Sequence, residues 1–234
     1  MTQNELLSLI EKAENEYKAS GNSESAREAL QSVFSDCFSK EEPDESLAAP
    51  LDRAYRLLRR IENNSVIAED FGYRYDIGFV CEGLTVCAEI MSHQSGRRFT
   101  LERDFESAFV NIELKSLCKA LLNLFANAVK YSDGNEIGVK MGLFDGFVVV
   151  TVTNEGHFDA ADFQNALNGN GSLGFVGRLL KLNGGSVVMT DGGAVSLALK
   201  LPLCKKELPV ILPFAIEDLL YDRTSPVYVA FCAH

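Results

Sequence analysis

No stretch of this 234-residue sequence approaches the roughly 18–20 consecutive apolar residues that cross a bilayer, so no membrane-spanning helix is expected. The opening MTQNELLSLIEKAENEYKAS is acidic and lacks the basic start and apolar core of a secretory leader, which points to the cytoplasm. Clustered cations are scarce too. The chain has 22 Lys and Arg against 33 Asp and Glu, a net charge of −11. That balance argues against nucleic acid, whose phosphates are bound by grouped cations. Arg56, Arg59 and Arg60 come nearest to a basic cluster, but their segment also carries acids and reads as a solvated helix face. The six cysteines show no C-x-x-C spacing and the three histidines are scattered, so no zinc site is expected. Cysteines set in apolar runs read as reduced, buried small hydrophobes. Internal repeats and low-complexity tracts are absent.

What remains is an ordinary globular composition, 47% hydrophobic and 24% charged, long enough for one large or two modest domains. Leu6, Leu7, Leu9, Ile10, Ala13 and Tyr17 recur at helical spacing, and after GNSES the pattern continues through Ala26, Leu30, Val33, Phe34, Cys37 and Phe38. Pro43 breaks it, and Asp44 or Ser46 would cap a second helix bearing Leu47, Leu51, Ala54, Leu57, Leu58 and Ile61. Residues 1–66 therefore read as a helical hairpin. Its single apolar stripe needs cover, from the next domain or from a second copy in a homodimer.

Asp76 is placed to cap a helix from Ile77 to about Ile90, RFTLER alternates like a strand, and EIGVKMGLFDGFVVVTVTNEG reads as two strands turning at Asp145-Gly146. A glycine-rich loop, GNGSLG, leads into a helix ending at Gly184-Gly185, and SVVMTDGGAVSLALKLPL reads as a hairpin. The expected class is α+β, with residues 75–203 forming a two-layer sandwich and 204–234 a C-terminal extension. In that extension AIEDLLY suggests a short helix and VYVAFC a strand.

Between these elements lies LLNLFANAVKYSDG, residues 121–134, an apolar helix interrupted by Asn123 and Asn127. Four residues apart, the two amides share a face. A buried amide without partners costs about 1–3 kcal/mol, so each needs fixed company. Neighbouring backbone could supply it. Alternatively, one carbonyl could hold a hydrated Mg²⁺, with Lys130 beside it for phosphates and Tyr131 for a base.

The order LLNLFANAVKYS, VVVTVTNEG, GNGSLGF…LNGG and DGGAVSLALKLPL resembles the ATP-binding domain of sensor histidine kinases, of the Bergerat-fold (GHKL) ATPase family. The resemblance implies ATP and Mg²⁺ as cofactors, with Asn127 as the metal ligand. It puts Asn123 where hydrolysing members carry a catalytic glutamate, Lys130 near the phosphates and Tyr131 against the adenine. In the first glycine box, Asn154 stands in place of the aspartate that accepts from the adenine amine, ahead of Gly156, and Phe158 replaces a second glycine. Asn154 still accepts but lacks the charge that strengthens such a bond. In the second box Gly169, Gly171 and Gly174 are the candidates for backbone approach to phosphates. A loop that uses glycine only for its turns is an equal alternative. Only twelve residues separate Gly156 from Gly169, so the lid of such kinases is cut short, and Phe163 reads as core.

A sensor kinase also needs an acceptor histidine on its first hairpin helix, and EKAENEYKASGNSESAREAL has none. His93, His157 and His234 are not placed for that duty. The resemblance thus implies a histidine-kinase-like ATP-binding signalling protein unable to autophosphorylate. No catalytic residue is assigned. As a pseudokinase it would dock on a response regulator or a kinase. Alternatives are a kinase acting on a partner in trans, like anti-sigma-factor kinases, and a scaffold with an empty pocket.

Overall fold

The computed structural model describes residues 2–20, 23–38, 45–64 and 71–232. Three helices come first, α1 (Gln3–Ser20), α2 (Ser23–Phe38) and α3 (Ala48–Asn63). The hairpin expected over residues 1–66 is thus a three-helix unit, because the stretch from Ala26 forms a separate helix packed against both others. Packing explains the difference. Leu6, Ile10 and Ala13 of α1 are a thin stripe, and a folded-back α2 adds Leu30, Val33 and Phe34 to the same core. Each fully buried aliphatic or aromatic side chain contributes about 1.5–3 kcal/mol. Ser46 does not cap α3. A 3₁₀ turn, Glu45–Leu47, leads into it, and Leu47 holds the cap position without a side-chain bond. Pro43 and Asp44 lie outside the described residues.

The second unit follows as β1 (Tyr75–Asp76), α4 (Ile77–Ser92), β2 (Arg98–Arg103), β3 (Phe109–Val110), α5 (Leu114–Tyr131), β4 (Glu136–Phe144) and β5 (Phe147–Glu155). It continues through α6 (Ala160–Asn168), α7 (Ser172–Leu182), β6 (Ser186–Asp191) and β7 (Ala194–Pro202). Asp76 caps α4, its carboxylate accepting from the Gly78 amide at 2.8 Å and from Ala108 at 3.2 Å. Asp145 and Gly146 both adopt positive φ, the geometry a two-residue hairpin loop needs between β4 and β5. The five-stranded sheet runs β2-β4-β5-β7-β6, with β2 parallel to β4 and the other pairs antiparallel. Burial alternates along β5 and β7, so Val148, Val150, Val152, Leu199 and Leu201 meet the helices while the opposite face is half-exposed. The class is α+β.

The tail departs from expectation at one point. α8 (Ile216–Tyr221) is the predicted short helix, but VYVAFC is not a strand: Pro226–Phe231 form α9. An apolar run buried on every side does not reveal its period, and here Pro226 at the first helical position favours a helix. Val227, Ala230 and Phe231 enter the core of the second unit, while Val229 enters that of the three-helix unit. α9 is a wedge shared by both. No described helix is long and apolar enough to cross a membrane.

Candidate functional site

Helix α5 carries the asparagines. Glu113 caps it by accepting from the amides of Lys115 and Ser116, and Leu117, Leu121, Leu124, Phe125 and Ala128 bury against the sheet. Asn127 then falls on the rim of a cavity of about 590 Å³, within the usual range of about 300–1,000 Å³ for small-molecule sites. Leu124, Ala128, Val152, Leu173, Val195 and Leu197 give it apolar walls, while Asn127, Asp133 and Asn154 supply polar groups. Such a slot suits a flat heteroaromatic ring held at one edge. Asn154 is buried and donates its Nδ2 to the Glu155 carbonyl at 2.9 Å, which leaves its amide oxygen as the group to accept from a ligand amine. The Asp133 amide donates to that same carbonyl at 3.0 Å. Asp133 therefore brings to the cavity the carboxylate that Asn154 lacks. It was missed in the sequence because it lies outside the first glycine box.

At the other end Gly169, Gly171 and Ser172 line the cavity where α7 begins. Gly171 holds the cap position and has no side chain to satisfy the first amides of α7, a polarity suited to an anion. Asn127 donates to the Ser172 hydroxyl at 3.3 Å. A second cavity, of about 420 Å³, opens here and shares Asn127, Tyr131, Gly171 and Ser172 with the first. It is lined by Lys130 and by Arg56, Arg59 and Arg60 of α3. The arginines read as a solvated face are thus gathered at this end of the pocket, with Arg59 half-buried. Periodicity alone could not reveal this, because the docking of α3 on α5 is a long-range contact.

The sequence candidates divide accordingly. Asn127, Tyr131, Asn154, Gly169 and Gly171 line the first cavity, and Lys130 lines the second, with its ammonium 5.4 Å from the Tyr131 ring centroid. Asn123 lines neither. It is 1% exposed, and its Oδ1 accepts from Arg59 Nε at 3.1 Å. Gly156 stands behind the wall at φ +137°, where a side chain would press on the Tyr131 carbonyl. Gly174 is not at the surface of either cavity. Its Cβ would lie 1.8 Å from the Gly169 carbonyl oxygen, so this glycine serves close packing. Phe158 does enter the cavity wall, edge-on to the buried Phe163 at 6.1 Å, and between Gly156 and Gly169 the chain forms the single short helix α6. His93 is exposed beyond α4, His157 pairs with Asp191 at 2.5 Å, and His234 lies outside the described residues.

Behind Asn123 the contact between α3 and α5 is charged. Lys119 is buried one turn earlier, its ammonium 3.8 Å from Glu62 and 4.3 Å from the Phe175 ring centroid. Burial pulls its pKa down to about 7, against the opposing pull of Glu62. Burial also lowers that of Arg59. Arg178 of α7 ties the two units and the loop together, donating to the carbonyls of Asn63 at 2.8 Å and Gly169 at 3.0 Å.

No protein-family model and no curated protein matches the sequence. Solved structures do match. The Acinetobacter baumannii histidine kinase AdeS aligns at a TM-score of 0.55 and 16% identity, covering 78% of this chain and 95% of that one. Full-length ShkA in complex with AMPPNP aligns at 0.56 and 17%, covering 92% of this chain and 48% of that one. The nucleotide-free catalytic domain of histidine kinase ThkA aligns at 0.51 and 18%, covering 55% and 93%. The protein has the histidine-kinase-like GHKL ATPase fold.

Proposed function

We propose that this protein is a nucleotide-binding, histidine-kinase-like signalling protein that works as a pseudokinase, docking on a response regulator or a kinase. The observation that carries this is the cavity bounded by Asn127, Asp133, Asn154 and the start of α7, whose apolar slot and polar ends match a nucleoside phosphate. The fit extends to both groups implied by the fold. Asn154 and Asp133 offer acceptors for an adenine amine, and the uncapped α7 amides with Lys130 offer positive ends for phosphate. Asn127, at the junction of both cavities, would give Mg²⁺ one oxygen ligand, and the ion would offset phosphate charge.

None of the three histidines lies within residues 1–92, so the three-helix unit offers no acceptor for autophosphorylation. Docking would use that unit, on a partner or on a second copy of the chain. The cations at the phosphate end favour a second reading, a kinase acting on a partner in trans.

Calorimetric titration with ATP and ADP, with and without Mg²⁺, tests the proposal. Micromolar, Mg²⁺-dependent binding that is lost in Asn127→Ala is the expected result. Absence of binding at millimolar nucleotide would overturn it and leave a scaffold. Transfer of labelled phosphate to a partner would replace the pseudokinase reading with the trans kinase.

A further inference from the structure

We propose that Asn63, the last residue of α3, holds a water of the hydrated divalent cation that accompanies a nucleotide. The three-helix unit would then complete the cation site from outside the ATP-binding fold. This assignment rests on the nucleotide reading above and adds to it a positioning residue and a link between the two units.

A polar atom buried without a partner keeps its desolvation cost until something fills the space beside it. Among the described residues several side-chain nitrogens and oxygens are buried in this way, and Asn63 alone of their owners lines either cavity. It is 4% exposed, and its orphan is an acceptor, Oδ1. Asn123, whose Nδ2 also lacks a partner, lines neither cavity. The other α3 residues in the wall of the second cavity are Arg56, Arg59 and Arg60, which carry donors only. Asn63 is therefore the side-chain acceptor that α3 brings to this space, among the described residues.

An acceptor set among cations suits a donor that arrives with an anion. Water on a divalent ion is such a donor, because Mg²⁺ takes one or two protein oxygens and keeps several waters whose hydrogens face outward. Asn127 lines the same cavity, and its Nδ2 goes to the Ser172 hydroxyl at 3.3 Å, which leaves its amide oxygen for the ion. Two amides, one from each unit, thus line one chamber of about 420 Å³, room for an ion with its water shell. The ion cannot enter alone. Lys130 and the three arginines repel a bare cation, whereas nucleotide phosphates outweigh its charge.

Asn63 is held in place from both units. Its carbonyl accepts from Arg178 of α7 at 2.8 Å, and Arg178 also donates to the Gly169 carbonyl in the wall of the slot at 3.0 Å. On either side of it, Glu62 lies 3.8 Å from Lys119 of α5, and the Asn64 side-chain amide donates to the Tyr17 hydroxyl of α1. The residue is thus built into the chamber wall. A metal nucleotide spanning Asn127 and Asn63 would tie the end of α3 to α5, and a metal-free nucleotide would not.

The test titrates the full chain with ADP, in Mg²⁺ and in EDTA, for the unmodified protein, Asn63→Leu and Asn63→Asp. The quantity read is the factor by which Mg²⁺ tightens ADP. Asn63→Leu, of similar size without an acceptor, should cut that factor about tenfold, the usual weight of a group that orients a metal's shell. Asn63→Asp keeps an acceptor and should retain the factor. Magnetic resonance of the unmodified protein, with Mn²⁺ in place of Mg²⁺, gives a second readout that does not depend on a variant folding. Mn²⁺ with ADP should broaden the Asn63 side-chain amide as strongly as that of Asn127, and more strongly than that of Asn154. If ADP binds without gain from Mg²⁺, or Asn63→Leu keeps the factor, the assignment falls and the nucleotide slot stands. The same follows if both variants lose the factor equally, or if Mn²⁺ leaves Asn63 no broader than Asn154. If ADP does not bind the unmodified protein at all, both fall.

Discussion

Arg59 Nε lies 3.1 Å from Asn123 Oδ1, so an arginine of the three-helix unit reaches into the α5 motif and takes one of its two asparagines. The two amides of that motif have different duties. Asn127 faces the cavities, whereas Asn123, buried at 1% exposure, anchors α3. Asn123→Ala should therefore act on stability, lowering the unfolding free energy by about 1.5–3 kcal/mol, as expected for a hydrogen bond to a charged group. A double-mutant cycle with Arg59→Ala in urea should return a coupling of about 0.5–3 kcal/mol. Strictly additive effects would show that the contact carries no energy.

Lys119 sets a pH dependence. Burial brings its folded pKa to about 7, while the unfolded chain titrates near 10.4. Between those values the unfolded state holds the extra proton, so this group adds stability as pH rises through 7. Buried thiols act oppositely. Burial raises the pKa of Cys81 and Cys118, and unfolded thiols release protons above about 8.5, so stability falls there. Urea unfolding at pH 7 and 8.5 should show the unmodified protein gaining on Lys119→Met by up to about 1.4 kcal/mol per pH unit. Parallel pH profiles would mean that Lys119 does not titrate in this window.

The local elements were legible where the signal was local. Asp76 before an apolar helix, Asp145-Gly146 between alternating strands and Gly184 after α7 each declare a boundary through their own chemistry, and all three stand in the structure. Asn127 and Asn154 were legible for the same reason, as polar residues set in apolar runs. Arg59 was not. Its helix has a regular apolar stripe and an unremarkable polar face, and only the docking of α3 on α5 turns that face toward Asn123. Asp133 and Asn63 were hidden similarly, by their position at helix ends where the path of the chain decides what they meet. In α9 the run VYVAF serves two cores at once, which erases the one-sided pattern that marks a helix.

Glycines of the second box separate packing from binding. A side chain at Gly174 would lie 1.8 Å from the Gly169 carbonyl oxygen, backbone against backbone, and cannot be relieved by a rotamer change. Gly174→Ala should cost about 1–3 kcal/mol or more through overpacking, seen as a lower Tm. Gly171 meets nothing within 4 Å and has an ordinary φ of −79°. Gly171→Ala should change stability by about 0.5 kcal/mol or less, and any effect should appear in nucleotide affinity, since this residue lines both cavities. Equal destabilisation by the two substitutions would contradict this division.

The wedge α9 tests whether the two units are separable. Val229 is 2% exposed within the core of the three-helix unit, while Val227, fully buried, belongs to that of the second. The carbonyl of Arg223, just before the wedge, accepts from the Tyr55 hydroxyl of α3 at 2.9 Å. Val229→Asp places an unpaired carboxylate against α3, a change that costs several kcal/mol unless the contact opens. Because α5 still holds Val227, Ala230 and Phe231, the opening should fall on the three-helix side. Hydrogen exchange should therefore accelerate across α1, α2 and α3 while β4, β5 and β7 keep their protection. Val227→Asp should do the reverse, loosening α4 and α5 first. If both substitutions speed exchange uniformly, the units unfold as one, and the α3 contact with the pocket is then a fixed part of the domain instead of a joint that a ligand can tighten.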